Sequence, residues 1–181
     1  MATAATKKEG SWDSSSVQLN IVTFVDVQKA VAKGSTEGCA YIMDNSPNSR
    51  NQGTPHLQTV CKQGQVLNWI IYAMDMDRKP DGTWPPSVRI NNIVFLDSEG
   101  NDVSMIRVMD EMKILGGPDK IRSKSTPVYY YWAGIVEGSL PVGTYKYRFV
   151  LEFDPISPST QKTYLNLDGQ SLEVRNTVVF S

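Results

Sequence analysis

Residues 127–153 constrain the fold more than any other part of the chain. They read Pro-Val-Tyr-Tyr-Tyr-Trp-Ala-Gly-Ile-Val-Glu, then Gly-Ser-Leu-Pro-Val-Gly, then Thr-Tyr-Lys-Tyr-Arg-Phe-Val-Leu-Glu-Phe. In the last ten residues Tyr145, Tyr147, Phe149, Leu151 and Phe153 share one face. Thr144, Lys146, Arg148 and Glu152 share the other, with Val150 the exception. A side-chain period of two over that length is a half-buried strand. The first arm is aromatic and β-branched. The pair is expected to form two antiparallel strands of one sheet with a solvated face.

The rest of the chain supports an all-β domain. Strands are expected at 19–27, 39–43, 57–61, 66–76, 88–96 and 103–108, then in the two arms, and finally at 162–167 and 171–180. The 66–76 strand carries Leu67, Trp69 and Ile71 on one face and Ile70, Tyr72 and Met74 on the other, so it reads as central and covered on both sides. One helical turn is expected within 28–38, ending at Gly34, and another over 110–115. Asp168-Gly169 between two strand-like runs is a hairpin signal. Nine or ten strands at this spacing, with no βαβ alternation, predict a single-domain antiparallel β-sandwich with Ig-like or jelly-roll-like Greek-key connections. Residues 1–16, polar and Ser-rich around a lone Trp12, read as a flexible tail, and 17–181 as the one domain. The turn Leu140-Pro-Val-Gly143 precedes a strand that opens with Tyr145 and Tyr147. One of the two is expected to form a tyrosine corner.

Composition narrows the partners. The 181 residues carry a net charge of −1 and a pI near 5.8, with Lys and Arg scattered. That argues against a nucleic-acid footprint. No apolar run reaches bilayer-spanning length, and no secretory leader is recognisable, so the expected location is cytoplasmic, with leaderless export left open. Cys39 and Cys61 are expected to be buried free thiols unless their strands prove to be neighbours.

Catalytic constellations are sparse. His56 is the single histidine and sits in a polar loop, so neither a triad nor a multi-histidine metal site can be assembled. Asp75, Asp77 and Asp81 crowd a strand end, but their spacing does not match a calcium loop, and neither metal nor cofactor is expected. Glu137 and Glu152 sit on or near adjacent strands, with Glu152 expected on a solvated face. Trp84, stiffened by Pro85 and Pro86, is the best candidate for stacking on a sugar ring. Asn45, Asn48, Asn51, Asp77 and Asp81 are the loop groups available for polar contacts. The plainer alternative has Trp84 folding back over the sandwich edge.

Several motifs, in order over about residues 19–153, resemble the AidA/PixA family of bacterial inclusion-body proteins. They are Tyr131-Trp132-Ala-Gly134-Ile-Val136 and Gly143-Thr144-Tyr-Lys-Tyr147. Upstream of them come Asn20-Ile-Val-Thr-Phe-Val-Asp26, Tyr41-Ile-Met43-Asp44 and Gly64-Gln-Val-Leu-Asn-Trp69. Members usually end close to an Asp-Pro segment. Here Asp154-Pro155 is followed by a further strand-like stretch. The resemblance implies a small intracellular all-β protein. Some members accumulate as inclusions, and others are tied to quorum sensing and host interaction. It implies no catalytic residues. The reading is therefore a non-enzymatic protein that self-associates, as a dimer or larger, through exposed edge strands, or that binds a ligand. A carbohydrate lectin using Trp84 and the Asn/Asp loops is the alternative.

Overall fold

The computed structural model describes residues 18–74, 87–103, 113–116, 130–155 and 161–176. In chain order the elements are β1 (Leu19–Val25), α1 (Val27–Lys33), β2 (Ala40–Asp44), β3 (Gln58–Lys62), β4 (Val66–Ala73), β5 (Val88–Leu96), β6 (Lys113–Gly116), β7 (Tyr130–Ile135), β8 (Gly143–Phe153) and β9 (Thr163–Arg175). They form two sheets. One has five strands in the order β2-β1-β4-β7-β6, and the other four in the order β3-β9-β8-β5. The all-β sandwich is as expected, but its sheets are mixed. β1 runs parallel to β4 and β3 parallel to β9, while the other pairings are antiparallel.

Period-two patterning decides which residues enter the core. Leu19, Ile21, Thr23 and Val25 of β1 and Leu67, Trp69, Ile71 and Ala73 of β4 point inward from the five-stranded sheet. Tyr147, Phe149, Leu151 and Phe153 of β8 meet them from the four-stranded sheet. The alternation of β8 is thus realised, with Tyr145 half-buried at its open end. Trp69 meets Tyr147 edge-on at 6.2 Å and donates from Nε1 to its hydroxyl at 3.3 Å. Trp132 Nε1 donates to the Ile90 carbonyl at 2.9 Å, a second link between sheets. Each such aromatic contributes roughly 2–3 kcal/mol by leaving water, and its polar atom keeps a partner.

Four local expectations change. The two arms of residues 127–153 lie in opposite sheets, β7 in one and β8 in the other. Trp132 of β7 and Tyr147, Phe149, Leu151 and Phe153 of β8 enter the core from its two sides instead of lying side by side in one sheet. The connection is held to the β3–β4 turn, where Gly64 N–H donates to Val136 O at 2.7 Å and Gln63 Nε2 to Leu140 O at 2.6 Å. Asp168-Gly169 is not a hairpin turn. β9 runs through it, and the pairs Tyr147↔Gln170 and Phe149↔Leu167 leave two residues opposite Arg148, a β-bulge. Gly169 has φ of 107°, which glycine alone takes without strain. Residues 113–116, expected in a helical turn, form strand β6 against β7. The outer face of β4, expected to be covered, is half-exposed at Ile70 and Tyr72 and open at Met74.

Two expectations hold closely. α1 follows Asp26, whose side chain accepts from Lys29 N–H, and it ends at Gly34 in the left-handed region. Tyr145 is the tyrosine corner, its hydroxyl donating to Pro141 O at 2.7 Å. Tyr147 instead is buried in the core, and that burial raises its hydroxyl pKa. Cys39 and Cys61 are both buried and free.

Candidate functional site

The outer faces of the two sheets differ in kind. On the four-stranded sheet, residues projecting outward form ion pairs. Arg148 pairs with Asp102 at 2.8 Å and lies 3.7 Å from Asp168, and Arg175 pairs with Glu173 at 2.7 Å. Glu152, expected on a solvated face, is only 5% exposed. It lies beneath Arg89 opposite it on β5, Lys162 at 2.6 Å and the Tyr164 hydroxyl at 3.2 Å. Long neighbouring side chains can bury a carboxylate on an outer face. Burial pushes the Glu152 carboxyl up, but hydrogen bonds and charge from Arg89 and Lys162 outweigh it and lower the pKa to about 2.

The five-stranded sheet presents no charge on the outward positions of β2, β1, β4 and β7. Register places Met43, Val22, Ile70 and Tyr131 in one row across four strands, and Tyr41, Phe24 and Tyr72 in the next. Phe24 and Tyr72 stack at 5.5 Å, 18° from parallel. Met43, Tyr41 and Met74 are each more than 40% exposed and Ile135 39%. The polar residues here are Asn20 and Asn68, which bond each other at 2.8 Å. Among the described residues these outward positions make up an apolar surface, and such patches mark sites of association.

A third feature involves the loop between β2 and β3. A cleft of about 250 Å³ is lined by residues that include Asn45, Asn48, Lys62, Gln65 and Arg175. The structure thus brings together Asn45 and Asn48 of the residues singled out in the sequence. Asn45 is committed to the fold, since its Oδ1 accepts from Asn20 N–H at 2.9 Å and its Nδ2 donates to Gln18 O at 3.3 Å. Asn48 is exposed. Asn51 sits at φ of 60° and donates to His56 O, so it shapes the loop. Asp77, Asp81 and Trp84 lie outside the described residues, as do Asp75 and Trp12. Near the cleft, burial raises the Cys61 thiol to about 12, helped by the negative charges of Asp44 and Glu173. A thiol in that state is a poor nucleophile. Among the described residues no group of three or more His, Cys, Asp or Glu side chains is placed to hold a metal ion.

The same loop seals two sheet edges. Gly53 N–H donates to Ile42 O at 2.7 Å on the free side of β2, and Gln52 bonds both Asp44 N–H and Asp44 O. On β3, Arg50 and Gln58 exchange backbone bonds and Ser49 Oγ accepts from Val60 N–H. On β2 and β3 these edge groups are therefore already occupied.

The sequence matches a protein family described as a domain of unknown function, DUF8788, over residues 17–160. The chain belongs to that family. No curated protein matches this DUF8788 chain. Among solved structures it is similar to the crystal structure of the inclusion body protein PixA from Burkholderia cenocepacia. The TM-score is 0.55 at 7% identity, over 89% of this chain and 96% of that one. At that identity the likeness is one of fold. It agrees with the motif resemblance to the AidA/PixA family. Among the described residues no helix is long and apolar enough to cross a membrane.

The apolar outer face is not legible in the sequence alone. The signal was present in Val22, Phe24, Ile70 and Tyr72, which break polar alternation, but it could be recognised only once these strands were placed in one sheet with one side toward solvent.

Proposed function

We propose that this DUF8788 protein works without catalysis, by associating with copies of itself. The observation that supports this reading is the apolar, aromatic- and methionine-rich set of outward positions on β2, β1 and β4, set against an opposite sheet face laced with ion pairs. A solvated sheet face ordinarily alternates to polar residues, and retaining Val22, Phe24, Ile70, Tyr72, Tyr41 and Met43 there is costly for solubility unless something covers them. The similar structure from Burkholderia cenocepacia is that of an inclusion body protein, which is consistent with a sandwich suited to assembly. A sedimentation-velocity dilution series tests the reading. A weight-average sedimentation coefficient that rises with concentration supports it, and a constant monomer value overturns it.

A second reading, a polar small-molecule or carbohydrate ligand, is favoured by the cleft beside Asn48. No aromatic side chain is among its described lining residues, which weakens a sugar-stacking mode there. A glycan array with and without calcium tests it. Reproducible binding that Asn48→Ala abolishes supports the cleft, and a blank array removes the lectin reading.

A further inference from the structure

We infer that the outer face of the four-stranded sheet binds a neutral sugar, with the Tyr164 ring as the stacking platform and the amides of Asn166, Asn91 and Asn92 as the groups that hold its hydroxyls. This rests on the carbohydrate reading and moves its site from the cleft to the sheet.

Three observations carry it. The first is the platform. Tyr164 on β9 is 53% exposed, as open as any large apolar side chain among the described residues. Its hydroxyl donates to Glu152 Oε2 at 3.2 Å, so one end of the ring is anchored while the side chain stays open to solvent. An aromatic held in this way can cover the C–H side of a sugar and loses little side-chain freedom on binding. It is the element that the described lining of the cleft lacks.

The second is the polar surround. Register sets two rows across β9, β8 and β5. One is Tyr164, Glu152 and Arg89, and the next is Asn166, Val150 and Asn92. The irregularity between Ile90 and Asn92 inserts Asn91, so Asn91 and Asn92 are both exposed where strict alternation would bury one of them. Asn166 is exposed as well. Its backbone carbonyl accepts from Thr36, and among the described residues nothing is bonded to its side-chain amide. An amide offers a donor and an acceptor to a hydroxyl, and Val150 lies between the amides of the two flanking strands. Strand and residue spacings make the patch about 10 Å by 7 Å, on the order of a disaccharide.

The third is charge. The charged side chains described next to the patch are matched within the same face. Glu152 takes both Arg89 and Lys162, and Arg148, one row beyond Val150, pairs with Asp102 and lies 3.7 Å from Asp168. Lys146 stands two rows beyond Val150. The groups left to meet a ligand are therefore a tyrosine ring and neutral amides. An acidic sugar would have to compete with Glu152 for Arg89 and Lys162, whereas a neutral one leaves those pairs in place.

The test reads the full-length chain on immobilised neutral oligosaccharides of glucose, galactose and mannose, with uronic- and sialic-acid glycans alongside and no added metal. Wild type is compared with Tyr164→Ala, Tyr164→Phe, Asn166→Ala and, for the cleft, Asn48→Ala. Circular dichroism verifies that each variant is folded. Asn166→Ala keeps the test decisive should loss of the Tyr164–Glu152 bond perturb folding. Wild type should bind a neutral class. Tyr164→Ala and Asn166→Ala should each weaken binding at least about tenfold, and Tyr164→Phe, which keeps the ring, should stay within about threefold. Asn48→Ala should bind as wild type does. Binding that Tyr164→Ala and Asn166→Ala leave unchanged, or that Asn48→Ala abolishes, overturns the sheet-face site and leaves the carbohydrate reading standing. Binding to acidic glycans alone overturns the neutral class. A blank array overturns both this inference and the reading on which it rests.

Discussion

Replacing Gly169 with alanine should destabilise the sandwich by two separable amounts. Gly169 occupies the β9 bulge at φ of 107°, and a Cβ there would come within 2.3 Å of His56 Nδ1, 2.9 Å of His56 Cε1 and 3.3 Å of the Pro55 carbonyl. The backbone share, an L-residue forced to positive φ, is about 1–2 kcal/mol. The steric share depends on what can yield. The His56 ring is exposed and can swing away, whereas the Pro55 carbonyl is held by Gln170 Nε2 at 3.0 Å. Displacing the ring adds on the order of 1 kcal/mol, for a total of about 2–3 kcal/mol. A double-mutant cycle in urea separates the two. Gly169→Ala in a His56→Ala background should cost about 1–2 kcal/mol, and the coupling should be on the order of 1 kcal/mol. If Gly169→Ala alone changes stability by less than about 0.5 kcal/mol, the bulge and the His56 contact are both misplaced.

Glu152 gives a pH prediction. Its folded pKa of about 2 lies below the ordinary 4.5, so its stabilisation is complete above about pH 4.5 and is lost as pH falls toward about 2. Glu152→Gln should cost on the order of 2 kcal/mol at neutral pH and flatten stability across that acid window, as read by urea midpoints at stepped pH. Thiol titration of the native protein at mild alkaline pH should count no reactive cysteine, and in denaturant it should count both, because Cys39 and Cys61 are buried and free. A count of none in denaturant would mean a disulfide. Tyr145→Phe should cost about 0.5–1.5 kcal/mol in urea unfolding through the lost bond to Pro141 O, and no change would remove the corner's structural role.

The sequence was most legible where a signal was local. The alternation in β8 sets its inward face, Gly34 ends α1 in a left-handed conformation, and Tyr145 closes the turn at Pro141. It was least legible where distant pairing decides. Asp168-Gly169 has the same local chemistry in a hairpin and in a bulge, and only the long pairing with β8 on both sides selects the bulge. Nothing local in residues 127–153 says that β7 and β8 join different sheets, since both would serve equally well as hairpin arms. Glu152 looked solvated because alternation gives direction, not depth. Its burial comes from Arg89 and Lys162, which approach from other parts of the chain. Of the loop residues chosen for polar contacts, Asn45 and Asn48 reach one cleft, but Asn45 spends its amide on tying the loop to β1. The apolar outer face was hidden for the same reason as the sheet partition. Ile70 and Tyr72 read as residues of a doubly covered strand until register places them, with Val22 and Phe24, together on the outside.

The most direct test of association through this face is NMR of protein labelled at methionine methyls and tyrosine rings, diluted from about 1 mM to about 10 µM, a range that spans weak dimer affinities. Met43 and Met74 are open on the apolar face, and Tyr164 lies on the opposite sheet. Association through this face predicts that the Met43 and Met74 methyl signals shift together with concentration while the Tyr164 ring signal stays fixed. Methyl signals that do not move across that range, or a Tyr164 signal that moves in their place, would contradict it.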